Sequence, residues 1–147
     1  MCMKLVFATL LTICMSSLGM AENGLGTYYQ IDTDMQLCIE DSSKLEDRIM
    51  LECIFTAHRR YERVVDTCYS WLLEEYPTSR SRTLQANQEA WKAYIETQIQ
   101  MNREHYETYS ARMYRVIEAR ERVRLWKHRA LYLSEIYKTH KDNLSRD

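Results

Sequence analysis

Glycine and proline are almost missing from this chain. All three glycines (Gly19, Gly24, Gly26) precede residue 27, and Pro77 is the single proline among 147 residues. A phosphate-cradling loop, a dinucleotide-binding fingerprint, an EF-hand loop and a tight glycine hairpin each need positive φ or a close backbone approach, so residues 27–147 hold none of them. No Cys-x-x-Cys pair occurs, which removes a redox dithiol, a zinc knuckle and an attached haem. The four histidines (His58, His105, His128, His140) make no His-x-x-x-His pair, and none follows a glutamate by three residues. The ligand set of a bundle-type di-iron site is therefore absent. These exclusions leave no catalytic residue, no cofactor and no metal to assign, and the chain reads as a protein that is not an enzyme. Adjacent carboxylates such as Glu74 and Glu75 read as solvated charge near a helix end.

Long apolar runs are also missing. The longest stretch, Leu5 to Met15, falls short of the roughly 20 residues that span a bilayer. With Lys4 before it and Gly19-Met20-Ala21 after it, the stretch reads as a secretory signal over residues 1–21. The expected mature domain is residues 22–147, exported and not membrane-spanning, and periplasmic in a Gram-negative source. Cys2 and Cys14 leave with the signal, so Cys38, Cys53 and Cys68 meet an oxidising compartment. Cys53 and Cys68 share one helix, where fifteen residues at about 1.5 Å each set them roughly 22 Å apart, too far for a disulfide. Cys38 then bonds Cys53 or Cys68, and the remaining thiol is read as a small buried hydrophobe.

What is abundant is helix. With 46% apolar and 28% charged residues, the chain fits a water-facing helical domain. A brief first helix is expected around Asp34 to Ile39, with Asp41-Ser42-Ser43 breaking it. Ser43 and Glu46 make a capping box for the second helix. Along that helix Leu45, Ile49, Cys53, Ala57, Tyr61, Val64, Cys68 and Leu72 step by three or four to a stop at Pro77. Thr78 to Ser81 supplies the next break and cap. The third helix is expected from about Arg82 to Glu107, with Leu84, Gln88, Trp91, Ile95 and Asn102 on one stripe. Its amides need partners on a neighbouring helix. A fourth helix is expected over about Ala111 to Lys141. Three long helices with short links predict an all-α antiparallel bundle with the short first helix packed across it, stapled by a disulfide.

Charge is uneven along the chain. Residues 22–78 carry twelve acids and five bases, and residues 79–147 carry nine acids and fourteen bases. The basic stretch from Arg112 to Arg129 divides into two sectors beside an apolar stripe, and a mature chain of net charge −2 lacks the basic balance of a phosphate binder, so nucleic acid is not an expected partner. Eleven tyrosines and three tryptophans suit either an interface or a core that lacks leucine layers. Trp91 is read as core.

The segment Leu84-Gln-Ala-Asn-Gln88-Glu-Ala-Trp91-Lys-Ala-Tyr94 carries a recognisable pattern, as do Met113 to Ile117 with Leu125, Arg129 and Leu133, and Cys38 and Cys53 followed by Tyr61 and Asp66. In this order they resemble the LprI-type lysozyme inhibitors, small exported helical proteins. The resemblance covers most of residues 35–137. It implies a Cys38–Cys53 bridge, a structural role for Leu84, Gln88, Trp91, Tyr94, Leu125, Arg129, Leu133 and Asp66, and an Arg129–Asp66 pair across helices. The chain departs from the family at Ile95, where an arginine is usual, and at Ile99 and Glu121, where a second cysteine pair falls. Cys68 is additional.

The resemblance implies steric inhibition of a lysozyme-like or other peptidoglycan-degrading enzyme, with an immunity protein against a secreted wall-degrading toxin as a close variant. Host lysozymes are generally basic, so Glu40, Asp41, Glu46, Asp47, Glu74 and Glu75 are the expected partner-binding residues. The alternative is a periplasmic chaperone or envelope assembly factor that holds unfolded chains with its long helices and tyrosines.

Overall fold

The computed structural model describes residues 24–42, 47–107 and 111–146, and these form four helices: α1 (Gly24–Ser42), α2 (Asp47–Glu75), α3 (Thr78–Tyr106) and α4 (Ala111–Leu144). No strand occurs among the described residues. The expected all-α bundle is what the chain forms. The leader expected over residues 1–21, and the Ser43 and Glu46 capping box, lie outside the described residues.

The course is up, down, up. His58 meets Trp126, Trp71 meets Tyr137 and Tyr76 meets His140, so α2 and α4 run parallel, with α3 returning between them in the chain. The α2–α4 pair is the main packing surface, and its core is filled by Ile54, Tyr61, Val65, Leu72, Ala130 and Leu133. Ile54 and Val65 widen the stripe expected from spacing, because α2 is covered by α1 on one side and by α4 on the other. Each of the isoleucine, valine and leucine side chains among them contributes roughly 1.5–3 kcal/mol by leaving water.

The first helix is longer than expected: it spans 19 residues instead of the brief segment around Asp34 to Ile39. Its apolar positions Tyr28, Ile31, Met35 and Ile39 step by three and four, and all but Met35 are fully buried against the core. Tertiary packing of this stripe outweighs the poor helix propensity of Asp32, Thr33 and Asp34 within it and of Gly24 and Gly26 ahead of it. The intervening acids are neutralised across the interface. Asp34 pairs with Arg60 at 2.5 Å, and Asp32 pairs with Lys127 of α4 while accepting a 2.7 Å hydrogen bond from the Tyr61 hydroxyl. The Tyr28 hydroxyl bonds Ser134, and the two tyrosine rings stack 6.2 Å apart. Burial, reinforced by the Asp32 hydrogen bond, pushes the Tyr61 hydroxyl far above the usual phenol range, so it stays a donor.

The third helix begins at Thr78, four residues ahead of the expected start. Pro77, at φ −61° and ψ 155°, is its N-cap and offers no side-chain cap. Ser81 lies inside the helix and closes the α2–α3 corner, donating its hydroxyl to the carbonyl of Tyr76 at 2.9 Å. Proline is well placed here because its fixed φ breaks one helix and enters the next.

Candidate functional site

Two regions gather the residues singled out in the sequence. The first is the seam between α3 and α4, which run antiparallel. Leu84, Gln88 and Ile95 are the buried residues of α3, spaced by four and seven. Across the seam, Arg129 is only 6% exposed. Its Nε and Nη2 donate to Gln88 Oε1 at 2.9 and 2.6 Å, and Nη1 donates to Asn87 Oδ1 at 2.9 Å. The guanidinium carbon lies 5.2 Å from the Trp91 ring centroid and 5.5 Å from that of Tyr132. A planar cation forked onto amides and covered by aromatic faces is a geometry lysine cannot reproduce. Burial pulls the Arg129 pKa down from its ordinary value, with Tyr132 and Tyr69 opposing the shift.

This arrangement corrects two expectations. Arg129 pairs with the side-chain amides of Gln88 and Asn87, while Asp66 stands exposed on α2. Trp91 is half-buried and edge-on to Trp126 at 4.9 Å; the centre of the bundle belongs to Tyr61 and its neighbours. Trp126 in turn meets the His58 ring of α2 edge-on at 5.4 Å, so the rings link three helices. Burial lowers the pKa of His58, as do the nearby Arg122 and Arg59, against the pull of Glu62 and Glu118. Of the other motif residues, Leu133 is buried, Leu125 half-buried and Tyr94 exposed. The seam is a brace, and nothing in it presents reactive groups to solvent.

The second region is the corner where α1 and α2 meet. Cys38 and Cys53 are bonded there, with Cα atoms 5.8 Å apart, and Cys68 is left as a buried free thiol. Cys68 lies 3.4 Å from the Ser134 hydroxyl, and burial pushes its pKa up, which makes it a poor nucleophile. Beside the bridge, Leu37 is 58% exposed, and Glu40 and Asp41 are also exposed. Asp47 is half-buried at the start of α2. Glu74 and Glu75 are exposed at the other end of α2, and at 1.5 Å per residue the helix sets them about 40 Å away. The six acids expected to make one face therefore do not: Glu40, Asp41 and Asp47 share a corner, Glu74 and Glu75 sit at the opposite end, and Glu46 lies outside the described residues. The exposed Leu37 beside the acids is a feature that sequence reasoning passed over, although it falls off the buried stripe of α1 by spacing alone.

A third feature, a shallow open groove, runs between the α2–α3 corner and the end of α4, lined by Tyr76, Arg80, Glu135 and His140. Among the described residues no cluster of three His, Cys, Asp or Glu side chains is arranged to hold a metal ion, and no described helix is long and apolar enough to cross a membrane.

A disulfide at the α1–α2 corner and a buried hydrogen-bonded seam between α3 and α4 hold this small helical domain in one arrangement. Residues 38–133, from the bridged Cys38 to the buried Leu133, match the family model described as lysozyme inhibitor LprI, and the chain belongs to that family. No curated protein and no solved structure matches it.

Proposed function

We propose that this protein inhibits a lysozyme-type peptidoglycan hydrolase by seating the stapled α1–α2 corner against the enzyme and occluding its glycan cleft, after export to the periplasm. The observation that carries the reading is the family match across residues 38–133, which begins at the bridge and takes in the whole α3–α4 seam. The chemistry of the corner supports it. Exposed Glu40 and Asp41 complement a basic enzyme surface, and Leu37 offers apolar area beside them. Charge of this kind steers the encounter and sets orientation, while the apolar contact and the excluded water hold the complex. The disulfide fixes the corner before binding, so little ordering entropy is lost on contact. No group of the inhibitor takes part in bond making; the enzyme's own acid and nucleophile stay intact but unreachable.

A wall-degrading toxin delivered into the periplasm offers the same glycan cleft, and an immunity role follows from the same mechanism. The test is a muramidase assay with increasing amounts of the mature chain. Stoichiometric loss of activity supports the proposal, and binding without loss of activity favours the chaperone alternative.

A further inference from the structure

We propose that the outer face of the α1–α2 pair holds a groove that takes one large uncharged side chain, leucine-like or aromatic, from a basic surface of the hydrolase. This rests on the inhibitor reading above and names what the stapled corner receives. The groove runs beside the Cys38–Cys53 bridge and is floored by Ile31, Met35, Ile49 and Ala57. Its volume is about 170 Å³. A cavity of about 150 Å³ accepts a benzene ring, whereas small-molecule sites start at roughly 300 Å³, so the room is that of a single anchoring side chain.

Spacing shows how the groove meets the surface. Asp34, Leu37, Cys38 and Asp41 share one face of α1 at i, i+3, i+4 and i+7, and Glu52, Phe55, Thr56 and Arg59 repeat that spacing on α2. Asp34 and Cys38 form one wall, and Glu52 and Thr56 form the other. Leu37 and Phe55 therefore flank the two walls. The bridge and the Asp34–Arg60 pair set α1 and α2 antiparallel with Cys38 level with Cys53, so Leu37 and Phe55 stand within about one residue rise of the same height. They are 58% and 37% exposed. A single exposed apolar residue means little, but two of them across an apolar floor can close over an inserted side chain and exclude water from it.

Charge decides what is inserted. Asp34 already accepts from Arg60 at 2.5 Å and from Gln30 at 2.6 Å, and Glu52 pairs with Arg59 at 3.2 Å. A lysine or arginine would have to displace an arginine that is in place; an uncharged side chain would not. The surroundings differ from the groove itself. Helix α1 carries Asp32, Asp34, Glu40 and Asp41 and no base, and the exposed Glu40 and Asp41 lie at the bridge end. The anchor is therefore apolar and the surface that bears it is basic.

The test uses the oxidised mature chain labelled with methyl-¹³C methionine, titrated with a basic host-type lysozyme and, separately, with a bacterial wall-degrading effector. On binding the enzyme it inhibits, the Met35 methyl signal should shift while that of Met101, exposed on α3, stays in place. Thr56→Trp, which fills the groove from its exposed edge, should weaken inhibition at least tenfold with an unchanged melting temperature, and Thr56→Ser should not. Phe55→Ala should weaken inhibition several-fold. Full inhibition with an unmoved Met35 signal, or full potency in a folded Thr56→Trp variant, would overturn the groove and leave the inhibitor reading standing. A parent chain that inhibits neither enzyme would contradict that reading and this inference together.

Discussion

Arg129 of α4 and Gln88 of α3 are joined by two hydrogen bonds to one oxygen, at 2.9 and 2.6 Å, in a contact from which water is excluded. Helix α3 has far less packing than α2 or α4, so this contact, with Trp91 edge-on to Trp126, holds it in register. Gln88→Ala should destabilise the fold by about 1.5–3 kcal/mol, because the cation it strands is buried. Arg129→Lys should not be benign, since a point charge cannot bridge both amides. Chemical denaturation of the two variants checks this; values within about 0.5 kcal/mol of the parent, the size of ordinary surface effects, would place the seam outside the stabilising core.

The bridge between Cys38 and Cys53 closes a loop of sequence separation 15. A loop of about this length is worth about 3 kcal/mol of unfolded-state entropy. Reduction, or Cys38→Ser, should lower stability by that amount and should loosen α1 before the rest. Cys68→Ala should cost much less, and reductant should have no further effect on Cys38→Ser. Melting with and without reductant separates these cases.

His58 supplies a pH dependence with a definite sign. Its folded pKa is held below the ordinary value of 6.5 by burial, so the folded state binds fewer protons than the unfolded state just below that pH. Stability is therefore complete above about pH 6.5 and falls as the pH drops through that value toward the folded pKa. The melting temperature should decline from pH 7.5 to 5, and His58→Gln should flatten the decline. An unchanged slope in that variant would assign the acid sensitivity to other groups.

Much of this architecture is legible in the sequence, and the misses have physical causes. The stripes of α2 and α3 follow from spacing, and the family pattern around Gln88 and Trp91 marks the seam before its geometry is known. Helix α1 is hidden because Asp32, Thr33 and Asp34 interrupt its stripe with polar residues. Their counter-ions, Lys127 and Arg60, come from helices that only the folded chain brings near. The same limit explains Arg129: spacing places it on the α3-facing side of α4, but choosing between Asp66 and the amides of Gln88 and Asn87 needs the helix register. The acidic face fails for a simpler reason. Acids at both ends of a long helix count together in a charge tally, yet stand about 40 Å apart in space.

Within the stapled corner, Glu40→Lys with Asp41→Lys should slow association with a basic hydrolase and remove most of its salt dependence, and Leu37→Ala should speed dissociation. All three positions are exposed, so folding should be unaffected. Glu74→Lys with Glu75→Lys, at the far end of α2, should change neither rate.

Inhibition itself is tested most directly by titrating the purified, oxidised mature chain into a lysozyme-type muramidase acting on peptidoglycan. The activity should fall to baseline near one inhibitor per enzyme, and the Glu40→Lys, Asp41→Lys variant should require far more. Undiminished cleavage at saturating protein, against both a host-type lysozyme and a bacterial wall-degrading effector, would contradict it.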